Sequence, residues 1–148
     1  MLYSAEASVV QATSTVVQSD ELTPRREPFS VLVVDDDVNI RKMMIAALRR
    51  DGYSFIEAAN GREALDAMRA SHPSVVVLDL MMPILSGWDV LKERETDSDL
   101  RSIPVIIVSA NRAPEIATAV DKGICAFLPK PFDIAALSAL VRSCIPAR

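Results

Sequence analysis

The sequence predicts an α/β domain made of five successive strand–helix units, an open parallel sheet with helices on both faces. Two observations carry this. Short continuous apolar runs alternate along the chain with longer stretches of helical periodicity. Within the runs, apolar residues follow one another without polar alternation, which says that both faces of each strand are covered. Composition agrees, since 50% of the 148 residues are hydrophobic and 24% charged, the balance of a compact globular chain.

Residues 1–28 hold no glycine and are rich in Ser, Thr, Gln, Ala and Glu. The pairs Val9-Val10 and Val16-Val17 recur seven apart, but Thr13, Ser14 and Thr15 between them form helices poorly. A disordered N-terminal tail over 1–28 is therefore expected, closed off by Pro24 and Pro28. The folded domain is expected over 29–145, with 146–148 as the C-terminal end. Strand one runs from Val31 to Val34. Ile40, Met44 and Leu48, four apart, mark the first helix, ending near Arg50 with Gly52 as its stop. Strand two spans Ser54 to Ala58, and Asn60 caps a second helix through Ala64, Leu65 and Met68 to Pro73. Strand three is Val75 to Leu78, followed by a short helix around Val90 and Leu91. Strand four is Val105 to Val108, with a fourth helix from about Ala113 to Lys122 before Gly123. Strand five is Ala126 to Leu128, and the fifth helix carries Ile134, Leu137, Val141 and Cys144. All five strands read as buried. Right-handed crossovers favour strand order 2-1-3-4-5, a flavodoxin-like (βα)5 doubly wound parallel sheet.

Other features exclude whole classes of function. Twenty acids outnumber sixteen bases, and no basic run exceeds Arg25-Arg26 or Arg49-Arg50, so capture of a nucleic-acid backbone is not expected. No apolar stretch approaches the roughly 20 residues of a membrane span, and the N-terminus lacks a secretory signal. A cytoplasmic protein without nucleic-acid or membrane contact is the expectation. Cys125 and Cys144 have neither CxxC spacing nor a neighbouring His, and read as small core residues rather than zinc ligands or a redox pair.

In sheets of this kind ligands bind beyond the carboxyl ends of the strands, where the strand order reverses. Strand one runs into Asp35-Asp36-Asp37, strand three into Asp79, strand four into Ser109 and strand five into Lys130. Taken singly, these have ordinary readings. An Asp after a strand is a turn or capping residue, the role expected of Asp37 ahead of Val38, and a lone Ser or Lys is surface decoration. Gathered at one sheet edge they are a site. Carboxylates within ~4 Å of one another repel by about 4 kcal/mol per pair at an effective dielectric of 20, so a cation must offset them. An oxygen-only cluster suits a hard ion, Mg²⁺ above all, with Lys130 as a second positive charge.

VLVVDDD at 31–37, VVVLDLMMPILSGWDVL at 75–91, IPVIIVSA at 103–110 and AFLPKPF at 126–132 together resemble the receiver domain of two-component response regulators, over about residues 29–145. The likeness is to the stand-alone, chemotaxis-regulator-like type. It implies that Asp79 accepts a phosphoryl group from a phosphohistidine on a sensor histidine kinase or a histidine phosphotransfer protein. It further implies that Asp36 and Asp79 ligate Mg²⁺ with the backbone carbonyl of Met81, and that Asp35 acts through a water. Lys130 and Ser109 would contact the phosphoryl oxygens, Phe127 would be the aromatic switch, and the bond from Lys130 to Pro131 would be cis. Such a protein is not an enzyme in the usual sense, since it catalyses only its own phosphorylation and dephosphorylation. Phosphoryl transfer asks a protein mainly for positioning and charge neutralisation, and Asp79 must be ionised to attack, which nearby cations favour.

The resemblance also implies a switched docking surface on the fourth helix, fifth strand and fifth helix, with Ile116 and Val120 as its apolar pair, on a monomer or weak homodimer. Pro129 makes a stiff Pro-Lys-Pro run, Ser109 is a hydroxyl without the methyl of Thr, and Met81 and Asn111 occupy positions that influence water access. Trp88 reads as a half-exposed packing residue near the site, and His72 as a surface residue ending a helix. After Lys130 only 18 residues remain, one helix and no output module. A self-contained regulator or relay intermediate is expected, with a receiver fragment of a larger regulator as the alternative. Two other classes compete. A Mg²⁺-dependent phosphohydrolase could use Asp35 and Asp37, but it leaves Asp79 and Lys130 unexplained. A phosphorylation-independent scaffold has no need of a repulsive acidic cluster.

Overall fold

Register between neighbouring strands decides where the polar residues of this chain converge. A computed structural model describes residues 27–110 and 124–146. Five parallel strands, β1 (Ser30–Val34), β2 (Ser54–Ala58), β3 (Val75–Leu78), β4 (Val105–Ser109) and β5 (Ala126–Pro129), form one sheet in the order β2-β1-β3-β4-β5. This is the expected flavodoxin-like order. Val34 pairs in register with both Ala58 and Leu78, so the residues that follow β1 and β3 emerge side by side. Ser109 pairs with Pro129, which brings the next residue, Lys130, out at the same edge.

The strands are continuous apolar runs because alternate residues serve two cores. Leu32, Val34, Val76, Leu78, Val105 and Ile107 pack on one face with Ala64, Leu65 and Met68 of α2 (Gly61–Ser71) and Val90 and Leu91 of α3 (Gly87–Thr96). Val31, Val33, Val75, Val77, Ile106 and Val108 pack on the other with Met44, Ile45 and Leu48 of α1 (Val38–Leu48) and Leu137 and Val141 of the C-terminal helix (Ile134–Cys144). Burying one such side chain contributes about 1.5–3 kcal/mol, so the two layers outweigh local preferences and fix the sheet.

Helix ends follow their local chemistry. Asp37 caps α1, accepting from the Asn39 and Ile40 amides, as expected. A 3-10 turn over Arg49–Asp51 extends α1 to Gly52, whose φ of 80° is left-handed. Asn60 caps α2, and His72 ends it, exposed. The third helix is longer than the short element expected around Val90 and Leu91, spanning ten residues. Its start is fixed by a capping box in which the Ser86 hydroxyl accepts from the Asp89 amide and the Asp89 carboxylate accepts from the Ser86 amide. One further helical turn, Ser98–Arg101, follows it. Arg94 is buried and donates to the carbonyls of Arg101 and Ile103 at 2.9 and 3.0 Å, satisfying the backbone that leads into β4.

Three expectations need correction. Strand β2 is not buried, because it is an edge strand with Ser54 and Glu57 exposed. Strand β5, at the other edge, is only partly covered. Cys125 and Cys144 are not free core thiols but a disulfide, with Cα atoms 6.0 Å apart, since the C-terminal helix returns along the sheet to the start of β5. Residues 1–26 of the tail expected over 1–28, the expected fourth helix with Ile116 and Val120, and Asn111 lie outside the described residues. Among the described residues no helix is long and apolar enough to cross a membrane.

Candidate functional site

Asp35, Asp36, Asp79, Ser109 and Lys130 meet at the carboxyl edge of the sheet. Backbone hydrogen bonds set the framework: the Asp79 amide donates to the Val34 carbonyl at 3.0 Å, the Asp35 amide to Ala58 at 3.2 Å and the Lys130 amide to Ser109 at 3.0 Å. Asp35, Asp79 and Lys130 are thereby held by carbonyls of the sheet itself. One carboxylate oxygen each from Asp35, Asp36 and Asp79 lies within 4.8 Å of the others. Asp35 and Asp79 are buried and Asp36 is exposed.

Lys130 crosses to this cluster from β5. Its Nζ donates to Asp35 Oδ2 at 2.8 Å and stands 3.6 Å from Asp79 Oδ2. The other oxygens are held by main chain, the Asp37 amide donating to Asp35 Oδ1 at 2.9 Å and the Met81 amide to Asp79 Oδ1 at 3.3 Å. Burial pushes the Asp79 carboxyl above the ordinary carboxylate range. Lys130 opposes this, Asp35 and Asp36 reinforce it, the Met81 amide opposes it, and the net shift is upward. Burial alone would lower the Lys130 ammonium, but its hydrogen bond to Asp35 and the charges of Asp79 and Asp35 outweigh that, so it is raised and stays protonated.

Among the described residues three carboxylates face one ammonium, a deficit that a single divalent cation removes. Clustered hard oxygen donors, one of them solvent-facing, fit an ion that retains several waters. Ser109 is fully buried at the end of β4. Phe127 is half-buried and packs against the core on the α2–α3 face. The Lys130-Pro131 bond is cis. Trp88 is half-exposed and packs on the same core, next to Gly87. The Met81 side chain projects into solvent, 60% exposed.

Two residues that shape the site go unmarked in the sequence reading. Arg41 donates from its Nη1 to the backbone carbonyl of Asp35 at 2.7 Å and from its Nε to Glu57 at 2.9 Å, tying the acidic loop to β2. Its spacing from Asp37, one helical turn, is the signal that could reveal it. Gly87 begins α3 against the backbone that follows β3, where a Cβ would stand 2.3 Å from the Asp79 carbonyl oxygen. The β3–α3 loop makes a tight turn at Ile84, with φ 69° and the Leu85 amide donating to the Pro83 carbonyl at 2.8 Å.

The sequence and the fold are matched by known proteins. The profile of the response regulator receiver domain matches residues 31–142. The chain belongs to this family. The receiver is 40% identical over 118 residues to the response regulator MprA of Mycolicibacterium vanbaalenii, covering 78% of this chain and 50% of that protein. It thus spans about half the length of the curated relatives it matches. Among solved structures, the chemotaxis protein CheY4 of Vibrio cholerae superposes with a TM-score of 0.73 at 28% identity, over 80% of this chain and all of that one. The receiver domain of the Francisella response regulator 1452 gives 0.71 at 33% identity, over 80% and 96%. Receivers of this family interact with histidine kinases or phosphotransfer proteins in two-component signalling.

Proposed function

We propose that this receiver takes a phosphoryl group on Asp79 from a phosphohistidine donor, and that the aspartyl phosphate switches a partner-binding surface. The observation that carries the reading is the placement of Lys130 Nζ against both Asp35 and Asp79, beside three clustered carboxylates. A hydrolase working through Asp35 and Asp37 leaves this unexplained, and Asp37 is engaged as a helix cap.

Asp36, Asp79 and the Met81 carbonyl would hold Mg²⁺ directly, with Asp35 acting through a water. When bound, Mg²⁺ neutralises charge on the transferring phosphoryl oxygens. The chain's own groups do the rest. An Asp79 carboxylate oxygen attacks phosphorus as the bond to the donor imidazole breaks, and the imidazole leaves with its electron pair. The Met81 amide keeps the other oxygen oriented. Lys130 stabilises the equatorial oxygens, and the Ser109 hydroxyl donates to one of them. Phe127 pairs with Ile107 and Pro129 with Ser109, so Phe127 stands one same-face position along the ladder from Ser109, and on this reading motion of the Ser109 hydroxyl is passed to the Phe127 ring and so to the β5 surface.

On this reading the chain is a phosphoprotein that turns over only its own acyl phosphate, works in the cytoplasm and docks a downstream protein without touching nucleic acid or membrane itself. It is a monomer or weak homodimer. The chemistry serves equally in a self-contained receiver or in a longer regulator, as in relatives of about twice its span. The test is incubation with Mg²⁺ and acetyl phosphate, followed by intact mass. Gain of one phosphoryl group, lost in Asp79→Ala and on chelation, is expected. No adduct and no turnover would favour the scaffold, and steady phosphate release needing Asp35 but not Asp79 would favour the hydrolase.

A further inference from the structure

The Cys125–Cys144 disulfide lies away from the acidic site. Cys125 immediately precedes β5, whose opposite end carries Lys130, and Cys144 is the last residue of the C-terminal helix. Its two halves are unequal. Cys125 is exposed, whereas Cys144 is only 7% exposed and sits in the core layer that holds Leu137 and Val141.

Two features say that the fold does not depend on this bond. Leu137 and Val141 are fully buried against the sheet, so the helix is docked by its own apolar face. The Cys125 amide donates to the Val105 carbonyl at 2.9 Å, which anchors the start of β5 to β4 independently. Opening the disulfide would leave Cys125 a surface thiol and Cys144 a small apolar core residue. Only the last helical turn would lose a tether, where the Ile145 amide donates to Val141 and the Ser143 hydroxyl to Leu140. In a reducing compartment disulfides of this kind are transient and sensory rather than permanent, and an exposed sulfur is the one that exchanges.

We propose that Cys125 and Cys144 form a reversible thiol–disulfide modification site in which exposed Cys125 is the entry thiol and buried Cys144 resolves it, locking or releasing the end of the C-terminal helix. The oxidant is a small-molecule disulfide such as glutathione disulfide. The Cys125 thiolate attacks one of its sulfurs, the glutathione S–S bond breaks, and one glutathione leaves as a thiolate that takes up a proton. The Cys144 thiolate then attacks the Cys125 sulfur of the mixed disulfide and expels the second glutathione. Two electrons and two protons pass from the chain to glutathione disulfide, and excess glutathione reverses both steps. The site is independent of phosphorylation at Asp79.

The test uses the full chain in glutathione buffers of graded redox ratio, quenched by alkylation and read by intact mass. Expected is a monomeric transition in which both thiols disappear together, reversed by dithiothreitol and unchanged in Asp79→Ala. Cys144→Ser should accumulate one glutathione on Cys125, and Cys125→Ser should take up glutathione on Cys144 at least about tenfold more slowly. Hydrogen exchange on the reduced chain should quicken about tenfold at residues 141–146 and not in β1 or β3. Two thiols that stay open to alkylation under excess glutathione disulfide would overturn the proposal. So would a disulfide that survives dithiothreitol in the native chain, or equal glutathione uptake by the two variants. The wild-type titration decides the matter even where a serine variant does not fold.

Discussion

The Lys130 ammonium binds Asp35, at 2.8 Å, more closely than it approaches Asp79, at 3.6 Å. Ninety-five residues separate Lys130 from Asp35 in the chain, and their meeting holds β5 and β1 to a common edge across the two strands between them. It also leaves Asp79 the less encumbered of the two buried carboxylates. In Lys130→Met the sheet should persist on its apolar layers, at a cost of about 1.5–3 kcal/mol for the lost charged hydrogen bond. Uptake of a phosphoryl group from acetyl phosphate should slow on the order of 10²-fold. An unchanged rate in the presence of Mg²⁺ would remove Lys130 from the chemistry.

Gly87→Ala should perturb Asp79. The added Cβ would meet the Asp79 carbonyl oxygen at 2.3 Å and the Leu80 Cα at 2.7 Å. Both are backbone atoms next to a buried strand end, so neither yields cheaply. Overpacking of this kind costs about 1–3 kcal/mol, and here it displaces Asp79, the proposed phosphoacceptor. The urea midpoint should fall and phosphoryl uptake should slow; wild-type values for both would show that the loop gives way without moving Asp79.

Ile84→Gly should stabilise the protein. Ile84 is 83% exposed, so little burial is lost, while its left-handed backbone is one that a β-branched residue resists. The conformation costs roughly 1–2 kcal/mol for a residue with a side chain, against roughly 0.5–1 kcal/mol of extra chain entropy for glycine. A net gain of about 0.5–1 kcal/mol is expected in urea unfolding. A loss instead would mean that the Ile84 side chain makes a stabilising contact.

Without Mg²⁺, Asp79 should count against folding near neutral pH. Its carboxyl is raised in the fold, chiefly by burial, so the native state holds its proton to higher pH than the unfolded chain does. Stability should therefore rise as pH falls through the raised value and level off below the unfolded one, the reverse of a salt-bridged carboxylate. Asp79→Asn should melt a few degrees higher than wild type in chelator, and this gap should close when Mg²⁺ is added. A lower melting temperature for the variant in chelator would contradict the burial argument.

Sheet order and the acidic edge were legible in the sequence because both follow from continuous apolar runs that end in polar residues. Edge exposure was not, since Phe55 and Ile56 of β2 read like a central strand until Ser54 and Glu57 are seen facing solvent. The third helix reads as short because, beyond Val90 and Leu91, its residues to Thr96 are exposed except for Arg94, whose burial depends on distant carbonyls. The pairing of Cys125 with Cys144 rests on where the last helix ends relative to β5, a tertiary distance that no spacing rule encodes. Arg41 and Gly87 escaped for a similar reason. One acts through a side chain on a backbone oxygen, the other through the absence of a Cβ.

The central claim is that Asp79 itself carries the phosphoryl group. Borohydride reduction of the acetyl phosphate-treated, Mg²⁺-loaded protein converts an aspartyl phosphate to homoserine, which tandem mass spectrometry locates. Homoserine at position 79, absent without Mg²⁺ or phosphodonor, is the predicted result; homoserine at 35 or 36, or at no position while phosphate is still consumed, would contradict it.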